Sequence, residues 1–244
     1  MLDLIATTLL TATIAVNLNA FITMMPLSPV QKLTTATIAG LWIGLAIALA
    51  GTGIFASAAT PVPVVGVMLI LPLIAIGAAA WLSAPVRAAL LALPAPLLIG
   101  LNSLRILPGG CLVLLAVQGR LSGPFPQDAG WGDIVVGVTA LPLMIAVARS
   151  FSQNRVVLLV WNILGTLDLV AAITLGVTSA PGSPLQIFGG SIGSIAMGSL
   201  PWSTIPTLLV PFYFITHGVI FAQLARAKAK LRSDDGFAAA RSGL

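Results

Sequence analysis

Apolar residues run almost unbroken along this chain, in stretches near 3–25, 34–59, 64–82, 97–120, 131–149, 156–178 and 205–226. A helix needs about 20 mainly apolar residues to cross a hydrocarbon core of about 30 Å. The stretches meet that length, and the pattern predicts an all-α, polytopic transmembrane helix bundle of about seven helices. Turn chemistry separates them, at Met25-Pro26-Leu27-Ser28-Pro29, Thr60-Pro61-Val62-Pro63, Ser122-Gly123-Pro124-Phe125-Pro126 and Pro181-Gly182-Ser183-Pro184. Residues 83–96 are too short to span and carry Pro85, Pro94 and Pro96, which predicts an interfacial or re-entrant lead-in to the fourth helix. A membrane β-barrel would instead show alternating segments of about 10 residues. Gly40-x-x-x-Gly44 and Gly51-x-Gly53 predict close helix–helix approach at the second span.

Composition narrows the class further. Of the 244 residues 58% are hydrophobic and 7% charged, with no glutamate, against roughly 25% charged residues in soluble domains. The net charge of +5 does not signal nucleic acid. Arg226, Lys228, Lys230, Arg232 and Arg241 follow the last apolar span, where they read as a topology anchor. No basic stripe interleaved with aromatics accompanies them. The single cysteine, Cys111, excludes an intramolecular disulfide and a Cys-rich metal site. Met1-Leu2-Asp3 lacks the positive region of a cleavable leader.

Counting Lys and Arg across the breaks sets an expected orientation. With the tail inside, Lys32, Arg87, Arg149 and Arg155 fall in cytoplasmic connections, and the outer side holds Arg120 with Asp3, Asp128 and Asp133. The expectation is therefore an N-out, C-in protein of the bacterial inner membrane, with one transmembrane domain over 1–226 and a basic cytoplasmic tail over 227–244. Trp81 at an inner edge, with Trp131 and Trp202 at outer edges, suits an interfacial aromatic belt.

Polar groups within hydrocarbon are expensive, about 2.5–3.5 kcal/mol for a charge on insertion scales, so those present are the candidate ligand or ion site. They are Asn17, Asn19, Asn102, Arg105, Asn162, Asp168 and His217. At about 1.5 Å per residue, Asn17, Asn19, Arg105 and Asn162 fall about 9–12 Å from the inner edge, with Asp168 and His217 near the midplane. Asn102 and Arg105 share a helix face. The following Pro108-Gly109-Gly110 predicts a loosened helix beside a buried charge, as in transporter midplane sites. For Arg105 three readings stand: an ion pair with Asp168 that locks the bundle, a ligand or proton site, and snorkelling to the inner interface. Asn162, Thr166 and Asp168 are placed to flank a cavity. A lone His217 excludes bis-His haem and multi-His metal centres within this chain, and leaves an axial or pigment ligand, a proton relay or a structural histidine. No metal site and no particular cofactor is implied.

The segment containing Asp128, Trp131 and Asp133 forms a second cluster. Asp133 is expected to open the fifth helix as a negative cap, or to act as an outer gate, with Arg120 as the charge partner. Gly189-x-Ser191-x-Gly193 matches a hydrolase elbow by letter, yet the strand-to-helix turn that motif needs is not predicted here. Seven helices with N-out topology resemble opsins in count alone, because the last helix has no lysine for a retinal Schiff base. The combination Asn102-x-x-Arg105, Gly130-Trp131-Gly132-Asp133, Asn162-x-x-Gly165-x-x-Asp168 and His217 resembles a family of hypothetical bacterial inner-membrane proteins, over roughly residues 95–225. That resemblance implies location and carries no activity. The sequence thus points first to a small-solute or ion carrier, proton coupling included. A membrane-embedded accessory subunit, or a pigment- or quinone-binding protein with membrane-protein partners, comes second. An intramembrane enzyme is last, since few acid–base constellations are available.

Overall fold

A computed structural model of the chain describes residues 1–56 and 64–242, with side chains described to residue 229. The Thr60–Pro63 turn, the expected end of the second span at 57–59 and the side chains of Lys230, Arg232 and Arg241 lie outside the described residues. The helices are α1 (Leu2–Met24), α2 (Pro29–Gly51), α3 (Val64–Leu82), α4 (Ala84–Leu91), α5 (Ala95–Asn102), α6 (Ile106–Val117), α7 (Phe125–Arg149), α8 (Arg155–Thr178) and α9 (Val210–Ser242). No strand occurs among the described residues. Seven segments are long and apolar enough to cross a membrane, α5–α6 counting as one span over Ala95–Val117 and the last running Ile205–Ala229. The chain is an all-α, multi-pass membrane protein.

Local chemistry sets the boundaries. α2 begins at Pro29, five residues before the expected 34, because Ser28 and Gln31 form a reciprocal capping box and proline suits the first turn. α7 begins at Phe125 and runs straight through Gly130-Trp131-Gly132, where the sequence suggests a turn. The short α4 is the segment read as interfacial or re-entrant; Ser83 caps it by accepting from the Val86 N–H. Between α5 and α6 lies a 3-10 turn, Ser103–Arg105. Pro108 cannot donate to the carbonyl four residues back, so the distortion falls one turn before the proline. The expected loosening at Gly109-Gly110 does not occur, and both glycines lie inside α6.

α7 occupies the middle of the bundle between α5–α6 and α8. Glycines let its backbone come close. A Cβ added at Gly130 would lie 3.1 Å from the Gly109 carbonyl oxygen, and one at Gly137 would lie 3.0 Å from the Ser103 carbonyl oxygen. α2 behaves differently. An added Cβ at Gly40, Gly44, Gly51 or Gly53 would meet nothing within 4 Å, so these glycines mediate no packing among the described residues, contrary to expectation.

Candidate functional site

Four spans converge on Arg105. Its position at the 3-10 turn ahead of Pro108 directs a fully buried guanidinium into the bundle. Nε donates to Asp133 Oδ1 of α7 at 2.6 Å, and Nη2 donates to Asp168 Oδ2 of α8. Nη1 donates to the Gly165 carbonyl at 3.3 Å and lies 3.4 Å from His217 Nε2 of α9. The face of Tyr213 covers the guanidinium, with Cζ 5.5 Å from the ring centroid. Arginine suits this place because its planar fork offers five donors in fixed directions.

The hydrogen-bond network fixes the histidine tautomer. His217 Nδ1 lies 2.7 Å from Asn162 Oδ1, while Asn162 Nδ2 donates to the His217 backbone carbonyl at 3.1 Å. The amide oxygen can only accept, so Nδ1 carries the hydrogen and donates. Nε2 is then a lone pair turned toward an obligate donor, Arg105. Both ring nitrogens are engaged, which argues against an axial or pigment ligand. His217 enters as a neutral group, leaving one guanidinium between two carboxylates whose side chains keep 12% and 13% exposure against 0% for arginine. The formal charge of the centre is one negative in excess.

Glycines make the contacts possible. A Cβ at Gly165 would sit 2.7 Å from His217 Cε1. One at Gly132 would collide with the Asp168 carboxylate, and one at Gly109 would sit 2.8 Å from Asp133 Cβ. The spacing in Asn162-x-x-Gly165-x-x-Asp168 thereby acquires a physical meaning. The amide orients the histidine, the glycine makes room for it, and the aspartate meets the arginine.

A second polar chain leads away from this centre. Asn102 donates to the Leu98 carbonyl at 2.9 Å and to Thr216 Oγ1 at 3.1 Å, and Thr216 in turn donates to the Tyr213 carbonyl at 2.8 Å. Asn17 of α1 donates to the Tyr213 hydroxyl at 3.2 Å. Asn17 and Asn102 are buried, and each Oδ1 lacks a protein partner. Tyr213 and Thr216 were not among the sequence-derived candidates. Their signal is spacing, since Tyr213 precedes His217 by one helical turn.

Several placements differ from expectation. Asn19 is exposed on the opposite face of α1 from Asn17. Asp133 does not cap a helix: α7 starts at Phe125, and Asp133 is buried inside it on Arg105. The acidic residue in the first turn is Asp128, which is exposed, as is Trp131. Arg120 pairs with Asp3 at 2.7 Å rather than with the Asp128 cluster. Trp202 is fully buried, donating its Nε1 hydrogen to Asp3 Oδ1 at 2.9 Å beneath Arg120, so it is no belt residue. Arg105 does not snorkel. Arg105 and His217 fall close to the centres of their spans, Ala95–Val117 and Ile205–Ala229. Ser191 is exposed in the connection after α8, away from the buried His217. No group of three His, Cys, Asp or Glu side chains with metal-binding geometry occurs among the described residues.

A family model described as a domain of unknown function (DUF8737) matches residues 62–225. That range contains Arg105 and all its charged and histidine partners. No curated protein and no solved structure matches the chain.

Proposed function

The chain belongs to this DUF8737 family, and we propose that it is a carrier of a small solute or ion in which a proton or the carried cation exchanges at Asp168. The observation that carries the reading is the sharing of Arg105 between Asp133 and Asp168, on two different helices, beside a histidine held neutral. One guanidinium balances one carboxylate. An unbalanced buried charge is costly, so the second carboxylate calls for another positive charge. That charge can leave when the cluster meets water and return when it closes. The 3-10 turn at Ser103–Arg105 interrupts the α-helix in the span that holds the arginine, as helix breaks do beside transporter sites. This reading places the protein in a bacterial inner membrane, N-terminus outside, with residues 1–226 as one transmembrane domain and 227–244 as a cytoplasmic tail.

Proteoliposomes loaded with a pH-sensitive dye test the proposal under an imposed potassium diffusion potential, with alkali cations, small amines and small carboxylates offered in turn. The expected result is proton or solute flux above that of protein-free vesicles, abolished by Asp168→Asn in protein that elutes as a single folded species. Flux equal to empty vesicles across the panel, or unchanged flux in Asp168→Asn, defeats the reading.

A second reading, an embedded subunit of a larger assembly, draws on α2. Its glycine face is open and few of its residues are buried. A stable complex larger than the monomer, recovered from native membranes in mild detergent and lost on Gly40→Leu, would favour it over an independent carrier.

A further inference from the structure

One end of the bundle gathers cations that have no carboxylate partner among the described residues. Arg149 closes α7, Arg155 opens α8, and Arg226 and Lys228 lie on the last turns of the α9 span. The ion pairs among the described residues involve only Arg105 and Arg120. Each aspartate with a described side chain lies at the central cluster or toward the opposite end, with Asp3 and Asp128. Arg155 Nε is buried without a hydrogen-bond partner.

At this end a groove of about 750 Å³ opens between the α4–α5 connection, the α7–α8 connection and α9. Leu91, Ala95, Phe151 and Ala227 give it apolar walls, and Arg226 supplies a charge. Gln223 holds the walls in place. Its Nε2 donates to the Leu93 carbonyl at 2.6 Å and the Leu91 carbonyl at 3.3 Å, tying α9 to the end of α4.

We propose that this groove binds an anionic phospholipid, its phosphate on Arg226 and an acyl chain along Leu91, Ala95 and Phe151. Charge complementarity selects the anion, because no described carboxylate neutralises the cations here. The apolar walls select a lipid over a soluble anion, since a free phosphate would leave them wet. Arg226 also lies near the end of a membrane-length apolar segment, where basic side chains reach lipid headgroups. Basic pockets between transmembrane helices take anionic headgroups in this manner. The inference is independent of the carrier reading, for it involves none of the residues around Arg105.

Native mass spectrometry of the full chain in detergent, titrated with phosphatidylglycerol or phosphatidylcholine of matched acyl chains, tests it. Phosphatidylglycerol should bind more tightly, and Arg226→Gln should weaken it about fivefold, the effect of one arginine near an anionic surface. Phosphatidylcholine should be indifferent to that change. Arg87→Gln is the control: its guanidinium serves the Ala80 and Trp81 carbonyls and does not line the groove. Equal binding of the two lipids, an equal loss in Arg87→Gln, or displacement of the lipid by inorganic phosphate at equal concentration overturns the proposal. Arg226 is exposed, so its replacement leaves the bundle intact.

Discussion

Removing Arg105 leaves two carboxylates facing each other inside the bundle, whereas removing one carboxylate leaves a matched pair. Breaking a buried ion pair by deleting one partner costs about 3–5 kcal/mol. Arg105→Gln should therefore lower the thermal melt in detergent sharply, while Asp168→Asn, which keeps the 2.6 Å contact of Arg105 with Asp133, should melt close to the parent. Equal destabilisation in the two variants would contradict the charge balance assigned to the cluster. Gly165→Ala should resemble the arginine change in direction, because the new methyl meets His217 Cε1 at 2.7 Å and ring and guanidinium must both move. At this scale the sequence is informative wherever a polar group interrupts an apolar run. Arg105, Asp168, Asn102, Asn162 and His217 stand out for that reason; four of them join one network, and Asn102 bonds Thr216, the residue before His217. Asp133 is harder to read, since its glycine neighbours look like a turn. Tyr213 hides among apolar neighbours, because its ring reads as core until its hydroxyl finds Asn17.

Glycine carries opposite meanings on two helices of this chain, and the letters alone do not separate them. In isolation Gly costs a helix about 1 kcal/mol relative to Ala, which makes Gly130-Trp131-Gly132 look like a break. Packing overrides that penalty, because α6 and α7 cross where Gly109 and Gly130 leave room for each other's backbone. On α2 the Gly40-x-x-x-Gly44 pattern, the more familiar sign of close packing, faces open space within the chain. Gly109→Ala should accordingly destabilise by about 1–3 kcal/mol, the usual range for overpacking, since the added methyl would lie 2.6 Å from the Gly130 carbonyl oxygen. Gly40→Leu and Gly44→Leu should leave the melt of the isolated monomer unchanged. Thermal unfolding of the three purified variants in one detergent reads both outcomes. The number and approximate position of the spans are legible because membrane thickness fixes their length. Their ends are less so, because a capping box at Ser28 or a buried glycine at 130 acts through geometry that hydropathy does not see.

The whole molecule is polarised in charge along the bundle. Lys32, Arg87, Arg149, Arg155 and Arg226 border one end, and Asp3, Arg120 and Asp128 the other, with Trp202 buried under the Asp3–Arg120 pair. Positive residues in short connections are retained on the cytoplasmic side during insertion. Seven spans place the termini on opposite sides, so the proposed orientation, N-terminus outward and start of the tail inward, is the one this rule favours. A cytoplasmic fluorescent reporter fused after Gln153, in the α7–α8 connection, should light up, and an alkaline phosphatase fused there should be silent. After Ser183, in the connection following α8, the pattern should reverse. Arg155→Asp combined with Arg149→Asp should blur that distinction by weakening the retention signal between α7 and α8. A reporter pattern inverted throughout would put the basic end outside. It would also move the lipid groove at Arg226 to the outer leaflet, leaving the cluster at Arg105 near the midplane and its charge balance untouched. The orientation and the central chemistry are thus separable. One is set by residues at the ends of the spans, the other by four side chains that meet near the middle.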